Sequence, residues 1–99
     1  MKRTSVRNCS LIEHKVTIQN KLGLHARASA QFVGEASKFP CYIGIKKEEL
    51  EVNGKSIMGV MMLAASKGTE VVIVANGEQE DEAIAALNLL VNQRFGEAE

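Results

Sequence analysis

A run of β-branched residues at positions 70–75 (EVVIVA) constrains the fold more than any other stretch of the chain. Val and Ile favour strands because their branched side chains pack well on a pleated surface. The run is apolar without interruption from position 71 onward, which is typical of a well-buried strand. The segment therefore predicts a central, well-buried strand.

The rest of the chain alternates between strand-like and helix-like patterns. Further strands are predicted over residues 13–19, 41–46 and 50–52. Helices are predicted over residues 26–38, 56–63 and 79–92. The buried stripe of the first helix would contain Ala28, Phe32, Val33, Ala36 and Phe39, and Pro40 would end that helix. Residues 94–99 continue no pattern, so we expect this tail to fray.

The element order is therefore β-α-β-β-α-β-α within 99 residues. A chain of that length forms a single domain with a core of its own. Because the helices are apolar on one face, we predict an α+β fold in which they cover one side of a sheet, an open-faced β-sandwich. Residues 1–12 have no periodicity and are predicted to be a flexible extension ahead of a single domain at residues 13–95.

Composition excludes several classes of function. The 12 basic and 12 acidic residues balance to a formal charge of zero, whereas a nucleic-acid-binding protein is expected to have a basic excess. No apolar run approaches the roughly 18 residues of a membrane-spanning helix, and the basic start lacks the apolar segment of a signal peptide. Cys9 and Cys41 have neither C-x-x-C nor metal-ligand spacing, so we expect reduced thiols, no metal and a cytoplasmic location.

The segment NKLGLHARASAQF, residues 20–32, is the strongest candidate for a functional site. It turns at Gly23 and enters the first helix, so His25 is expected at or just before the helix start. The unpaired N–H groups and the positive dipole end found there are a natural seat for a phosphate, and they disfavour a proton on the imidazole. Arg27 adds a planar cation that matches phosphoryl oxygens. The pattern indicates a histidine that accepts a phosphoryl group and holds it.

A second segment, residues 52–61 (VNGKSIMGVM), strengthens this interpretation. Together the two segments closely resemble the histidine-containing phosphocarrier (HPr) family of the bacterial phosphotransferase system. That family has G-L-H-A-R-P-A around a phosphorylated histidine and S-I-M-G-V-M around a regulatory serine. The resemblance covers about residues 13–92. One departure is Ala28, where the family usually has proline, but alanine also fits the first helical turn and adds an N–H group.

The resemblance implies four antiparallel strands in the spatial order first, fourth, second, third, with three helices on one side. It also implies a phosphocarrier that needs no metal or cofactor and that is a stoichiometric carrier more than an enzyme. Enzyme I would phosphorylate His25 on Nδ1, and an enzyme II A domain would then take the group. Ala26 and Arg27 would form the phosphoryl cradle.

The short helix that begins near Ser56 is expected to bind partners. By resemblance, Ile57, Met58 and Met61 form an apolar patch near His25 that docks enzyme I and the enzyme II A domains. Because a methionine stripe is more often core than interface, we also expect some of Ile57, Met58, Met61 and Met62 to face inward. In related proteins the serine that matches Ser56 is phosphorylated by a dedicated kinase/phosphorylase, so that enzyme and a transcriptional regulator are further candidate partners.

Several alternatives stay open. Ser56 also suits a plain helix N-cap. Residues 20–23 and 90–95 are similar to nitrogen-branch carriers, which regulate instead of feeding sugar uptake, whereas the Ser56 segment favours the sugar branch. A non-catalytic regulatory domain with the same element order would need neither His25 nor Arg27. A nucleotide-binding P-loop is excluded, because residue 49 is Glu where that motif requires glycine.

Overall fold

The computed structural model describes residues 11–99, so residues 1–10 of the predicted extension lie outside the described part of the chain. Its strands are β1 (Ile12–Thr17), β2 (Tyr42–Lys47), β3 (Leu50–Asn53) and β4 (Glu70–Asn76). Its helices are α1 (Ala26–Ala36), α2 (Ile57–Met62) and α3 (Glu80–Asn92), followed by a 3-10 turn at Arg94–Gly96. Each predicted strand and helix is present, with ends that shift by two residues at most.

The strands form one antiparallel sheet in the order β1-β4-β2-β3. β4 lies between β1 and β2, with Val16 opposite Val71 and Ile45 opposite Ile73. The central position predicted for the β-branched run is thus confirmed, and so is the α+β class. The spatial order that the family resemblance implied is also observed.

The main core lies between one face of this sheet and the helices. Alternate residues of β4 point into it, and Val71 and Ile73 are fully buried there. Phe32 of α1 and Leu87 of α3 belong to the same buried cluster. Burying each such large apolar side chain stabilises the fold by about 1.5–3 kcal/mol, which keeps α1 and α3 fixed on the sheet.

The opposite face of the sheet carries polar contacts instead of helices. The Tyr42 hydroxyl donates a hydrogen bond to Glu51 at 2.5 Å, and Lys46 pairs with Glu13 at 3.2 Å. The Tyr42 side chain lies across Gly44, where an added Cβ would be only 2.6 Å from the phenol oxygen. A side chain at position 44 would therefore displace Tyr42 from the sheet. This arrangement confirms the open-faced architecture.

The orientation of α2 corrects one prediction. We expected some of Ile57, Met58, Met61 and Met62 to face inward, but they are 43%, 73%, 38% and 68% exposed. Val60 is the one residue of α2 that is buried. A helix of six residues makes less than two turns, so it presents a single narrow stripe to the core, and Val60 occupies that stripe.

The C-terminal tail corrects a second prediction. We expected residues 94–99 to fray, yet Phe95 is only 3% exposed and belongs to the main hydrophobic cluster. The backbone reaches this position through two left-handed residues, Arg94 at φ 57° and Phe95 at φ 55°. Burial of the Phe95 ring offsets the cost of that conformation, so the tail folds back onto the domain.

Two further expectations concern composition. Within residues 11–99, none of the helices combines the length and the apolar character needed to span a bilayer. Cys41 is a free, buried thiol among the described residues, and Cys9 lies outside them.

Candidate functional site

The loop between β1 and α1 fixes where the first helix begins. Gly23 has a φ of +67°, and a Cβ at that position would lie 2.8 Å from the Cα of Ser66. The next residue, Leu24, donates its backbone N–H to the carbonyl oxygen of Ala65 at 2.9 Å. A glycine is required here because the chain both turns through the left-handed region and touches a neighbouring loop. The turn delivers His25 directly to the start of α1.

His25 occupies the N-cap position of α1, as predicted. Its backbone is extended, and its carbonyl oxygen accepts the first helical hydrogen bond from Ser29 N–H at 2.8 Å. Its side chain makes no capping hydrogen bond, so it leaves the first amide N–H groups of the helix unoccupied. Ala26 and Arg27 follow on the exposed side of the helix. Ala28, the third helical residue, is fully buried and has an N–H group that proline would lack.

An open cleft of about 630 Å³ lies over this helix start. Lys21 and Leu22 line it together with His25, Arg27 and Glu97. Among the described residues, no carboxylate lies within salt-bridge distance of the Arg27 guanidinium. The cleft therefore combines an imidazole, unpaired amide donors and a cation that is available to an anion.

Glu97 is the functional-site residue that the sequence analysis missed. Its Oε2 lies 2.6 Å from Nε2 of His25, although the two residues are 72 positions apart in the chain. The side chains are 14% exposed for Glu97 and 29% exposed for His25, so water has limited access to the contact. Phe95 is the one signal in the sequence that could have indicated the contact, since a large aromatic residue in a terminal tail favours docking over fraying.

Asn20 holds the second oxygen of this carboxylate. Its Nδ2 donates to Glu97 Oε1 at 3.0 Å and to the carbonyl oxygen of Gly23 at 2.8 Å. Both partners are acceptors, so the amide must point its NH₂ group towards them. The amide oxygen of Asn20 is buried and has no hydrogen-bond partner among the described residues.

The ionisation of Glu97 follows from these contacts. Burial by itself would raise the pKa of Glu97, but the hydrogen bonds with Asn20 and His25 and the nearby charge of Arg27 outweigh it. The net result is a pKa below the usual value of 4.5. Glu97 is therefore a carboxylate at neutral pH, and a carboxylate can only accept hydrogen bonds. Nε2 is thus the paired nitrogen of His25, and Nδ1 is the nitrogen left for other chemistry.

The second predicted segment lies at the start of α2. Ser56 is the N-cap of this helix, and its Oγ accepts a hydrogen bond from Gly59 N–H at 3.1 Å. The N-cap interpretation of Ser56 is thus confirmed. α2 packs against α1 and carries exposed apolar residues. The structure does not bring Ser56 into the cleft around His25.

Comparisons with known proteins agree with this geometry. The family model described as "PTS HPr component phosphorylation site" matches residues 12–93. The phosphocarrier protein HPr of Pseudomonas aeruginosa is 57% identical over 86 residues, which cover 86% of this chain and 96% of that protein. The phosphocarrier protein HPr of Neisseria meningitidis is 49% identical over 89 residues, or 90% of this chain and 100% of that one.

Solved structures give the same result for the fold. HPr from Thermoanaerobacter tengcongensis superposes with a TM-score of 0.83 at 48% identity, over 89% of this chain and 99% of that one. HPr from Bacillus anthracis superposes with a TM-score of 0.79 at 40% identity, over 83% and 98% of the two chains. The chain belongs to the HPr family, the histidine-containing phosphocarrier proteins of the phosphotransferase system.

Proposed function

We propose that this protein accepts a phosphoryl group from enzyme I on Nδ1 of His25 and passes it to a histidine of an enzyme II A domain. The observation that carries the proposal is the position of His25 at the N-cap of α1, beside Arg27 and with Nε2 already paired to Glu97. Nδ1 is then the ring nitrogen that can attack. A helix start with unpaired amides is a site that favours a phosphoryl group.

Each transfer would be an in-line displacement. In the first transfer, the lone pair of Nδ1 forms a new N–P bond while the bond between phosphorus and its donor atom on enzyme I breaks, and that electron pair stays on the donor atom. In the second transfer, the histidine of the enzyme II A domain attacks phosphorus, and the electron pair of the N–P bond returns to Nδ1. Catalysis of this kind depends on positioning and on neutralising the phosphoryl oxygens. The amides of Ala26 and Arg27 and the Arg27 guanidinium are the donors that we assign to those oxygens. Ala28 adds an N–H group where most family members have proline.

The partners would dock on the surface of α2. Ile57, Met58 and Met61 expose an apolar patch, and α2 packs beside the helix that begins at His25. Methionine suits a surface that binds several partners, because its flexible thioether adapts to different shapes. We assign this patch to contacts with enzyme I and with enzyme II A domains.

Phosphorylation of Ser56 would regulate that docking. A phosphate at an N-cap is favoured by the helix dipole, so the fold should tolerate it. The charge would lie immediately before the apolar patch, and a partner that buries the patch would have to desolvate it. We expect Ser56→Asp to bind enzyme I more weakly in a titration while its melting temperature is unchanged or slightly higher. Equal affinity for the parent and the variant would leave Ser56 as an N-cap only.

Incubation with enzyme I and labelled phosphoenolpyruvate tests the carrier function. We expect acid-labile label on the parent, none on His25→Ala, and slower labelling of Arg27→Ala, because the backbone amides remain. His14→Ala is a matched control, since His14 is the other histidine of the chain and bonds to Asn88 at 3.0 Å. Undiminished labelling of His25→Ala would overturn the proposal, and equal rates for Arg27→Ala would show that Arg27 is only a solvated charge.

A further inference from the structure

We propose that Glu97 is a positioning residue for His25, whose carboxylate holds the imidazole in the tautomer that carries its proton on Nε2. The inference rests on the proposed phosphoryl acceptance at His25 and adds a residue from the far end of the chain to that site. In this tautomer Nδ1 has the free lone pair. The C-terminal tail would thereby determine which nitrogen of His25 acts as the nucleophile.

The hydrogen bond itself selects the tautomer. Nε2 of His25 lies 2.6 Å from Oε2 of Glu97, which is within hydrogen-bond distance, and the ionised acceptor makes the bond charge-assisted. An ionised carboxylate has no proton to donate, so a neutral imidazole makes this bond only with its hydrogen on Nε2. The opposite tautomer would place a lone pair against the carboxylate, which is repulsive. The ring is therefore both oriented and fixed in one protonation pattern.

The carboxylate is itself held on both sides. Its other oxygen accepts a hydrogen bond from Asn20, whose side chain is fully buried. The Phe95 ring, two residues before Glu97, is buried in the core. The carbonyl oxygen of Glu99, two residues after Glu97, accepts a hydrogen bond from the backbone N–H of Lys21. A tail anchored at both ends and at the side chain restricts the carboxylate to one position, which a freely solvated carboxylate would not have.

The same contact would stabilise the charge that develops during transfer. When Nδ1 uses its lone pair to bond phosphorus, both ring nitrogens are substituted and the ring gains positive charge. Glu97 faces that charge from Nε2, while the phosphoryl group is on the opposite nitrogen. When the acceptor takes the group, the N–P electron pair returns to Nδ1 and the proton stays on Nε2. No proton has to move in either step, so Glu97 acts through His25 and does not touch the reacting phosphorus.

Nitrogen-15 NMR of the imidazole rings tests the tautomer directly. The spectra are recorded for the free protein at about pH 9, well above the ordinary pKa of histidine side chains, and His14 serves as an internal reference in every spectrum. We expect His25 of the parent to be almost entirely in the Nε2–H form. Glu97→Gln and Glu97→Ala should show a mixture of the two tautomers, whereas Glu99→Gln, which removes a charge from the same tail, should keep the parental pattern. A parental tautomer ratio in both Glu97 variants would overturn the proposal.

A kinetic measurement then separates positioning from folding. With phosphorylated enzyme I as donor, we expect Glu97→Gln to lower the maximal transfer rate by about tenfold or more, with little change in the apparent KM for the donor. Unchanged maximal rates in a variant with a mixed tautomer population would overturn the role in transfer. Failure of the carrier function itself would appear differently, as undiminished labelling of His25→Ala, and would leave the NMR result on Glu97 unaffected.

Discussion

Replacement of Phe95 by alanine measures how firmly the C-terminal tail is docked. Truncation of a buried phenylalanine costs about 3–5 kcal/mol when the surrounding segment cannot leave the core. The tail can leave, because Phe95 is the one residue of 94–99 that is buried, so this segment can detach without unpacking the sheet or the helices. The variant therefore loses no more than the net free energy of docking, after which the tail simply detaches.

The net docking free energy follows from opposing contributions. Burial of the Phe95 ring contributes about 3–5 kcal/mol, and the hydrogen bond of Glu97 with His25 contributes about 1.5–3 kcal/mol because it involves a charged group. Against these, the left-handed conformations of Arg94 and Phe95 and the ordering of the tail backbone cost free energy, which offsets part of the gain. We expect Phe95→Ala to reduce the free energy of unfolding by about 1–3 kcal/mol.

Urea unfolding followed by far-UV circular dichroism provides the assay, with Phe32→Ala as the matched control. Phe32 is also fully buried, but it lies in the middle of α1 and cannot detach, so its truncation should cost the full amount, about 3–5 kcal/mol. The m-value of Phe95→Ala should also fall slightly, because its native state already exposes the tail. An equal loss in the two variants would refute the reasoning by showing that the tail is an integral part of the core, and no loss for Phe95→Ala would show that the tail is not docked.

Three further predictions use other parts of the molecule. The hydrogen bond to Glu51, together with burial, raises the pKa of Tyr42 from 10 to about 12. Because Tyr42 is the only tyrosine of a chain without tryptophan, its ionisation can be followed at 295 nm. Glu51→Gln should lower the midpoint of this titration towards 10. This interaction stabilises the fold fully below pH 10 and is lost as the pH rises towards 12. Because the pKa of Glu97 is lowered in the folded protein, its carboxylate stabilises the fold above about pH 4.5. The difference in the free energy of unfolding between the parent and Glu97→Gln, measured in urea, should therefore shrink as the pH falls below that value. Ala28→Pro should raise the free energy of unfolding by about 0.4–1 kcal/mol, because Ala28 is in the first helical turn and proline restricts the unfolded chain.

Each of these three predictions has a clear contrary result. A Tyr42 midpoint near 10 in the parent would mean that the phenol does not bond to Glu51 in solution. A difference between the parent and Glu97→Gln that is equal at pH 7 and pH 3 would mean that the ionised form of Glu97 adds nothing to stability. A less stable Ala28→Pro variant would mean that the backbone at position 28 does not accept the proline ring.

The fold was predictable from the sequence only in part. Strand and helix positions followed from local patterns, because the β-branched run in β4 and the helical spacing around Phe32 are properties of neighbouring residues. The order of the strands in the sheet did not follow from those patterns. It depends on pairing between segments far apart in the chain, such as Val16 with Val71, and only the resemblance to a known family supplied it.

The candidate site shows the same division. His25 and Arg27 were found because a glycine turn and a helix start are encoded within a few residues. Glu97 was missed because its contact with His25 depends on the path of the tail, and that path passes through left-handed conformations at Arg94 and Phe95. Residues other than glycine rarely adopt such conformations, and here burial of the Phe95 ring stabilises them. The sequence pattern of neighbouring residues does not predict that burial.

The exposure of α2 has a chemical consequence for cells under oxidative stress. Met58, Met61 and Met62 present their thioethers to solvent, with 73%, 38% and 68% of each residue exposed. An oxidant converts an accessible thioether to a sulfoxide, which replaces a flexible apolar group with a polar one. Since α2 is anchored by Val60 instead of by these sulfurs, their oxidation would change the character of the surface and leave the packing beneath it intact. The damage would be reversible, because methionine sulfoxide reductases restore the thioether.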